Sequence, residues 1–183
     1  MLQIDASLTR LINGWSGGGG LVDFAMVALS SWGVQAMVLA VALQWWRRDP
    51  ARPARHMLVV TGLAFLIGLG LNQLILLDLH RIRPYAAGVT TLIVSPSADY
   101  SFPSDHATAS MAIAAAMLLQ GLRRQGAVML TAALLIALSR VYIGIHYAGD
   151  VLGGALTGLA GALAARALYP AGSRLDRFIT GIL

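Results

Sequence analysis

Three short polar knots in an otherwise apolar chain hold residue types that could do chemistry together. The densest runs from Ser139-Arg140 through His146 to Asp150, between two apolar runs long enough to cross a membrane. Charged side chains at the mouth of a hydrophobic bundle are costly unless they pair with one another or with a ligand, so this stretch reads first as a functional site. Arg81-Ile82-Arg83-Pro84 and Pro103-Ser104-Asp105-His106 flank other apolar runs in the same way.

His146 and Asp150 are four residues apart and share a face if the turn into the following helix is helical. A carboxylate on one ring nitrogen fixes the tautomer and leaves the other nitrogen free to attack. An isolated pair at this spacing would serve equally well as a helix-capping aspartate beside an interfacial histidine. Arg140 adds a planar guanidinium that can grip phosphate oxygens two at a time and keeps its charge. Arg83 and Arg81 raise the same possibility, although each alone could simply extend to the membrane interface. Arginines converging on one mouth repel each other, and an anionic ligand resolves the conflict. Ser104 stands as a natural N-cap where a helix begins, so first-turn amides would face an anion. His106, in that first turn, is placed to protonate a leaving oxygen. Asp105 beside a bound phosphate calls for a partner, with Arg81 or Arg140 as candidates. Nucleophile, orienting acid, leaving-group acid and oxyanion clamps make a full set for phosphoryl transfer through a phosphohistidine. No carboxylate cluster in the sequence suggests a Mg²⁺ or Zn²⁺ site, so metal-independent hydrolysis with no cofactor is expected.

The elements that must position these residues are membrane helices. Of 183 residues, 57% are hydrophobic and 11% charged, with a mean hydropathy of +0.72, values outside the range of soluble domains. There is no cysteine, which removes disulfides, thiolate metal sites and a cysteine nucleophile. The formal charge of +5 comes from arginine and aspartate alone. In so apolar a chain it fits membrane anchoring and an anionic ligand, not nucleic acid.

The all-α expectation is a polytopic transmembrane bundle of about five crossings, or six. An amphipathic N-terminal segment, residues 1–20, lies on the membrane surface, and residues 21–183 form one transmembrane domain. The first crossing covers 21–46, with a break near Ser30-Ser31-Trp32-Gly33 and an interfacial Trp45-Trp46 end. A second runs from Met57 to Leu79, close to the roughly 20 residues needed to span about 30 Å of hydrocarbon. Later helices begin near Ser104, cover about 126–142 and cover about 148–169. Arg47, Arg48, Arg52, Arg55, Arg123, Arg124, Arg166, Arg174 and Arg177 then fall on one side, which the positive-inside rule makes cytoplasmic. All three knots share the outer side. The glycines and alanines of the last helix, including Gly154, Gly158 and Gly161, predict close packing within the bundle.

In order and spacing, Arg83-Pro84, Pro103-Ser104-x-His106 and Ser139-Arg140-x5-His146-x3-Asp150 resemble the three signature motifs of the type-2 phosphatidic acid phosphatase superfamily, whose members dephosphorylate membrane lipids. The resemblance makes His146 the nucleophile, Asp150 its partner, His106 the general acid, and Arg83, Ser104 and Arg140 phosphate ligands. The family's first motif usually opens with a lysine seven residues before the arginine. Here that position is Leu76, leaving Arg81 or His80 as substitutes. Asp105 stands where glycine is more usual. The strings Ala98 to His106 and Ser139 to Gly153 are similar to the bacterial undecaprenyl-diphosphatase branch, of bacitracin-resistance type. That branch recycles the cell-wall lipid carrier on the outer face of the plasma membrane. The implied partners are a polyprenyl or other phospholipid substrate and the bilayer. Phosphatidylglycerophosphate, phosphatidate and lipid A are competing substrates, and a transporter is the non-enzymatic alternative.

Overall fold

Alanine is the residue around which this bundle closes. In the computed structural model, which describes residues 2–46 and 54–182, helix α4 (Asp105–Leu119) is enclosed by its neighbours, and Ala107, Ala109, Ala112, Ala114 and Ala116 are all buried. Small side chains let α3 (Ala54–Leu76), α5 (Arg123–Tyr142) and α6 (Ala148–Leu168) pack directly on α4. Glycines do the same from the α6 side. A Cβ at Gly158 would lie 2.4 Å from the Thr108 carbonyl oxygen, and one at Gly154 would lie 2.4 Å from that of Ser104. Helix α2 (Leu21–Ala42, prolonged by a 3-10 turn over Leu43–Trp46) flanks α5. The N-terminal helix α1 (Leu2–Asn13) and the C-terminal helix α7 (Arg174–Thr180) close opposite ends.

Among the described residues, four helical segments are long and apolar enough to span a bilayer: Leu21–Trp46, Arg55–Leu76, Arg123–Tyr142 and Ala148–Leu168. The fifth crossing, α4, has 15 residues, roughly 22 Å at 1.5 Å per residue and short of the roughly 30 Å of hydrocarbon. Its enclosure removes the need for a full-length lipid-facing surface. The long segment between α3 and α4 returns to its own beginning, where the Ser101 amide donates to the Arg81 carbonyl at 2.8 Å.

Three expectations need correction. Helix α2 is continuous through Ser30–Gly33, because these residues serve its contact with α5. Ser30 meets Arg140, and Gly33 leaves room for Ile136, whose Cγ1 would lie 2.7 Å from a Cβ there. The second crossing ends at Leu76 and not Leu79. Helix α1 exposes Ile4, Leu8 and Leu11 as an amphipathic helix should, but its polar face is not in water. Thr9 and Asn13 are buried against the bundle, and the Asn13 amide bonds the carbonyls of Thr91 and Tyr142. Much of the arginine-rich loop at 47–55 lies outside the described residues. Helix α7 was not anticipated; its Asp176 pairs with His56 Nδ1 at 2.9 Å.

Candidate active site

The end of α3, the start of α4, the end of α5 and the start of α6 meet at one end of the bundle, which brings the three knots together. The tight turn after α5 aims His146. Gly144 adopts φ +83°, and a Cβ there would lie 2.3 Å from the Thr91 carbonyl oxygen, so only glycine fits. The Ser104 amide donates to the Asp150 carbonyl at 3.1 Å, tying the second knot to the third.

His146 is buried, and its two nitrogens are sharply different. Nδ1 lies 2.8 Å from the Ser101 carbonyl oxygen and 3.5 Å from Asp150 Oδ2. A carbonyl can only accept, so Nδ1 carries the proton and Nε2 presents its lone pair. Arg83 Nη1 stands 3.4 Å from that Nε2. Burial is the largest influence on the imidazole and pushes its pKa below the ordinary value. The Asp150 hydrogen bond opposes this, and the charges of Arg140 and Arg83 reinforce it. Neutral imidazole is the form a nucleophile requires.

Asp150 is fully buried and accepts from Ser101 Oγ, from the Tyr147 amide at 2.8 Å and from Arg81 Nη1 at 2.7 Å. It is thus both the helix cap and the acid behind the histidine, two roles that the spacing alone left open. The carbonyl of Ser101, absent from the sequence-derived site, is the closer partner of the ring.

Arg83 is held by three fixed acceptors: Nε donates to the Asp99 carbonyl at 2.9 Å, Nη2 to Asp99 Oδ1 at 2.7 Å and Nη1 to the Ile145 carbonyl at 3.0 Å. Asp99 sits below the usual carboxylate range; burial opposes its ionisation but is outweighed by bonds from Ser97 and Arg83. Arg140 Nη1 donates to Ser30 Oγ at 2.5 Å, while its Nε is buried without a protein partner. Ser104 takes the N-cap position of α4, yet its side chain makes no capping bond, and its buried Oγ is unpartnered too. The capping expectation for that hydroxyl is therefore corrected. His106 lies within electrostatic reach of Arg140, His146 and Arg83.

Two residues go elsewhere. Asp105 pairs with neither arginine; Asn72 Nδ2 donates to its Oδ1 at 2.7 Å within a buried network that includes Thr108 and Thr157. Arg81 is committed to Asp5 and Asp150, at 2.6 and 2.7 Å, and its guanidinium covers the Tyr147 ring at 3.8 Å. His80 stacks on Tyr100. Among the described residues no group of three His or Asp side chains could hold a metal ion. Sequence reading missed Asp5, Thr9, Asn13, Ser30 and Asn72, although Asp5, Thr9 and Asn13 recur every four residues along one face of α1.

The pattern of the PAP2 superfamily matches residues 55–174, from the first turn of α3 to the start of α7. The chain belongs to that superfamily. As a multi-pass membrane member of it, it is 35% identical over 146 residues to undecaprenyl-diphosphatase BcrC of Bacillus subtilis (strain 168), covering 79% of this chain and 73% of that protein. Among solved structures, LpxE of Aquifex aeolicus superposes with a TM-score of 0.66 at 21% identity, over 88% of this chain and 94% of that one. A transmembrane PAP2-type phosphatidylglycerolphosphate phosphatase from Bacillus subtilis gives a TM-score of 0.64 at 21% identity, over 94% and 88%. At these identities the two structures speak for the shared fold alone.

Proposed function

We propose that this PAP2 phosphatase hydrolyses undecaprenyl diphosphate to undecaprenyl phosphate and inorganic phosphate, on the outer face of a bacterial plasma membrane. The observation that carries the reading is the asymmetry of His146: Nδ1 is engaged by the Ser101 carbonyl, and Nε2 is left facing Arg83. His146 Nε2 attacks the terminal phosphorus, forming a P–N bond as the bridging P–O bond breaks. The leaving oxygen takes a proton from His106. Water then attacks phosphorus, gives a proton to His106 and releases phosphate as the P–N bond breaks. Arg83, Arg140 Nε and Ser104 Oγ are the donors for the phosphoryl oxygens, and the anion they bind favours the protonated His106 that the first step uses. Asp150 holds the ring, and Asp105 borders the lipid side.

The choice of a polyprenyl lipid draws on the resemblance to BcrC and on what lies beyond His106. Asp105 and His106 open onto a cavity of about 510 Å³ between α2 and α3, lined by Val38, Leu39, Phe65 and Leu69. It shares Val38, Ala42 and Phe65 with a second cavity of about 380 Å³ that reaches Trp45 and Trp46. A single long apolar tail suits this path.

The test is phosphate release from undecaprenyl diphosphate by detergent-purified protein with excess EDTA, beside His146→Ala. Turnover in the wild type and none in a folded variant is the expected result. Substantial activity of His146→Ala would overturn the nucleophile, and faster turnover of phosphatidylglycerophosphate, phosphatidate or lipid A in parallel would overturn the substrate.

A further inference from the structure

Arg81 and its two carboxylates have no part in gripping phosphate in this arrangement. Arg83 Nη1 stands 3.4 Å from His146 Nε2, whereas the terminal nitrogens of Arg81 bond Asp5 Oδ2 at 2.6 Å and Asp150 Oδ1 at 2.7 Å and its guanidinium covers Tyr147. Asp5 reaches further. Its Oδ1 accepts from the Gly149 amide at 2.7 Å, and Thr9, one turn along α1, accepts from the Ala148 amide at 3.0 Å. Helix α1 thus satisfies the first amides of α6, the donors that a helix start leaves without partners. A Cβ at position 149 would lie 2.8 Å from Asp5 Oδ2, so a larger residue there would displace the Asp5 carboxylate.

We propose that Asp5 and Arg81 are positioning residues for the nucleophile, forming with Asp150 a charged brace behind the His146 ring. The proposal rests on the reading of His146 as nucleophile. Asp150 lies 3.5 Å from Nδ1, and the ring becomes cationic as Nε2 bonds to phosphorus. A carboxylate there stabilises that charge, but Arg81 alone would cancel it. Asp5 restores the balance: two carboxylates and one guanidinium leave a net charge of −1 facing the ring. Asp5 precedes the segment that matches the superfamily, residues 55–174, so one of the three members of the brace comes from outside the shared pattern. It also explains how a chain with leucine at position 76 still uses an arginine five residues on: Arg81 is spent on orienting Asp150.

Charge arithmetic makes the test selective. D5N takes the brace from −1 to 0, whereas D5N/R81Q returns it to −1 through Asp150 alone. The measurements are kcat, KM and inhibition by inorganic phosphate for wild type, D5N, R81Q and D5N/R81Q, with undecaprenyl diphosphate as substrate, H146A as baseline and thermal midpoints in detergent. D5N is expected to lower kcat by about 10- to 100-fold, the scale of loss when an outer-shell partner of a metal-ligating histidine is removed, with KM and phosphate inhibition little changed. The double variant should be faster than D5N, a non-additivity that loss of packing would not produce. Should D5N fail to fold, Asp5→Glu against Asp5→Gln repeats the comparison at equal side-chain length. Unchanged kcat in D5N, a double variant no faster than D5N, or weakened phosphate inhibition in R81Q at constant kcat would each overturn the brace. Residual turnover in H146A would instead overturn the nucleophile, and the brace with it.

Discussion

Asp150→Asn separates the two partners of the His146 ring. In this substitution one carboxylate oxygen becomes an NH2 group that cannot accept. Placed toward Arg81 it opposes a donor now 2.7 Å away; placed inward it opposes the Tyr147 amide at 2.8 Å. The histidine itself keeps its tautomer, because the Ser101 carbonyl at 2.8 Å still takes the Nδ1 proton. What is lost is a negative charge 3.5 Å from a ring that becomes cationic. At an effective dielectric of about 20, a unit charge at that distance is worth roughly 5 kcal/mol. The ring holds only part of that charge in the transition state, where the P–N bond is incomplete, leaving about 3 to 4 kcal/mol. At about 1.36 kcal/mol per decade, kcat should fall roughly 10²- to 10³-fold. That is less than the roughly 10⁴-fold lost when a serine-protease triad aspartate is amidated and the tautomer goes wrong. The assay is steady-state phosphate release, with thermal unfolding in detergent to confirm folding. A loss within about threefold would make Asp150 a helix cap alone, and one well beyond about 10⁴-fold would show that Asp150, not Ser101, sets the tautomer.

Ser30→Ala removes the acceptor of Arg140 Nη1 and frees a buried guanidinium to swing. KM for the lipid diphosphate and the inhibition constant of inorganic phosphate should both rise by about 3- to 10-fold with a smaller change in kcat, corresponding to about 1 kcal/mol. A fall in kcat at constant KM would refute this positioning. The His146 imidazole, held below its ordinary pKa chiefly by burial, should be less than half protonated at pH 6.5 by NMR of 13C-labelled histidine. The sign carries to stability: as pH falls below 6.5 the unfolded chain binds a proton that the folded state does not, so His146 lowers stability as pH falls toward its folded pKa. A His146 signal that titrates at or above 6.5 would contradict the buried geometry.

The helical crossings, their order and the meeting of the three knots at one end were legible in the sequence because they follow from one-dimensional properties. Apolar runs of bilayer length have to be helices, and alternation of crossings fixes which loops share a side. The small-residue stripe of α6 was legible for the same reason. Its glycines at intervals of three and four could only serve close approach. Arg83, Ser104, His106, Arg140, His146 and Asp150 stood out as residue types at family spacing, which is the basis of the roles proposed for them.

Only the tertiary structure decided who pairs with whom. Ser30 and Gly33 looked like a helix break because small and polar residues weaken a helix in isolation, and the partners that make them useful, Arg140 and Ile136, lie more than a hundred residues away. Arg81 looked like a substitute for the missing lysine until Asp5 and Asp150 claimed its nitrogens. Asp105 turned to Asn72 and away from the arginines. The proton on His146 is set by the Ser101 carbonyl, a backbone group that every residue type carries and that no sequence pattern distinguishes. Burial, direction and charge pairing depend on what the fold brings opposite a side chain, so the sequence determined the inventory and the side of the membrane bundle on which it collects, and packing determined its wiring.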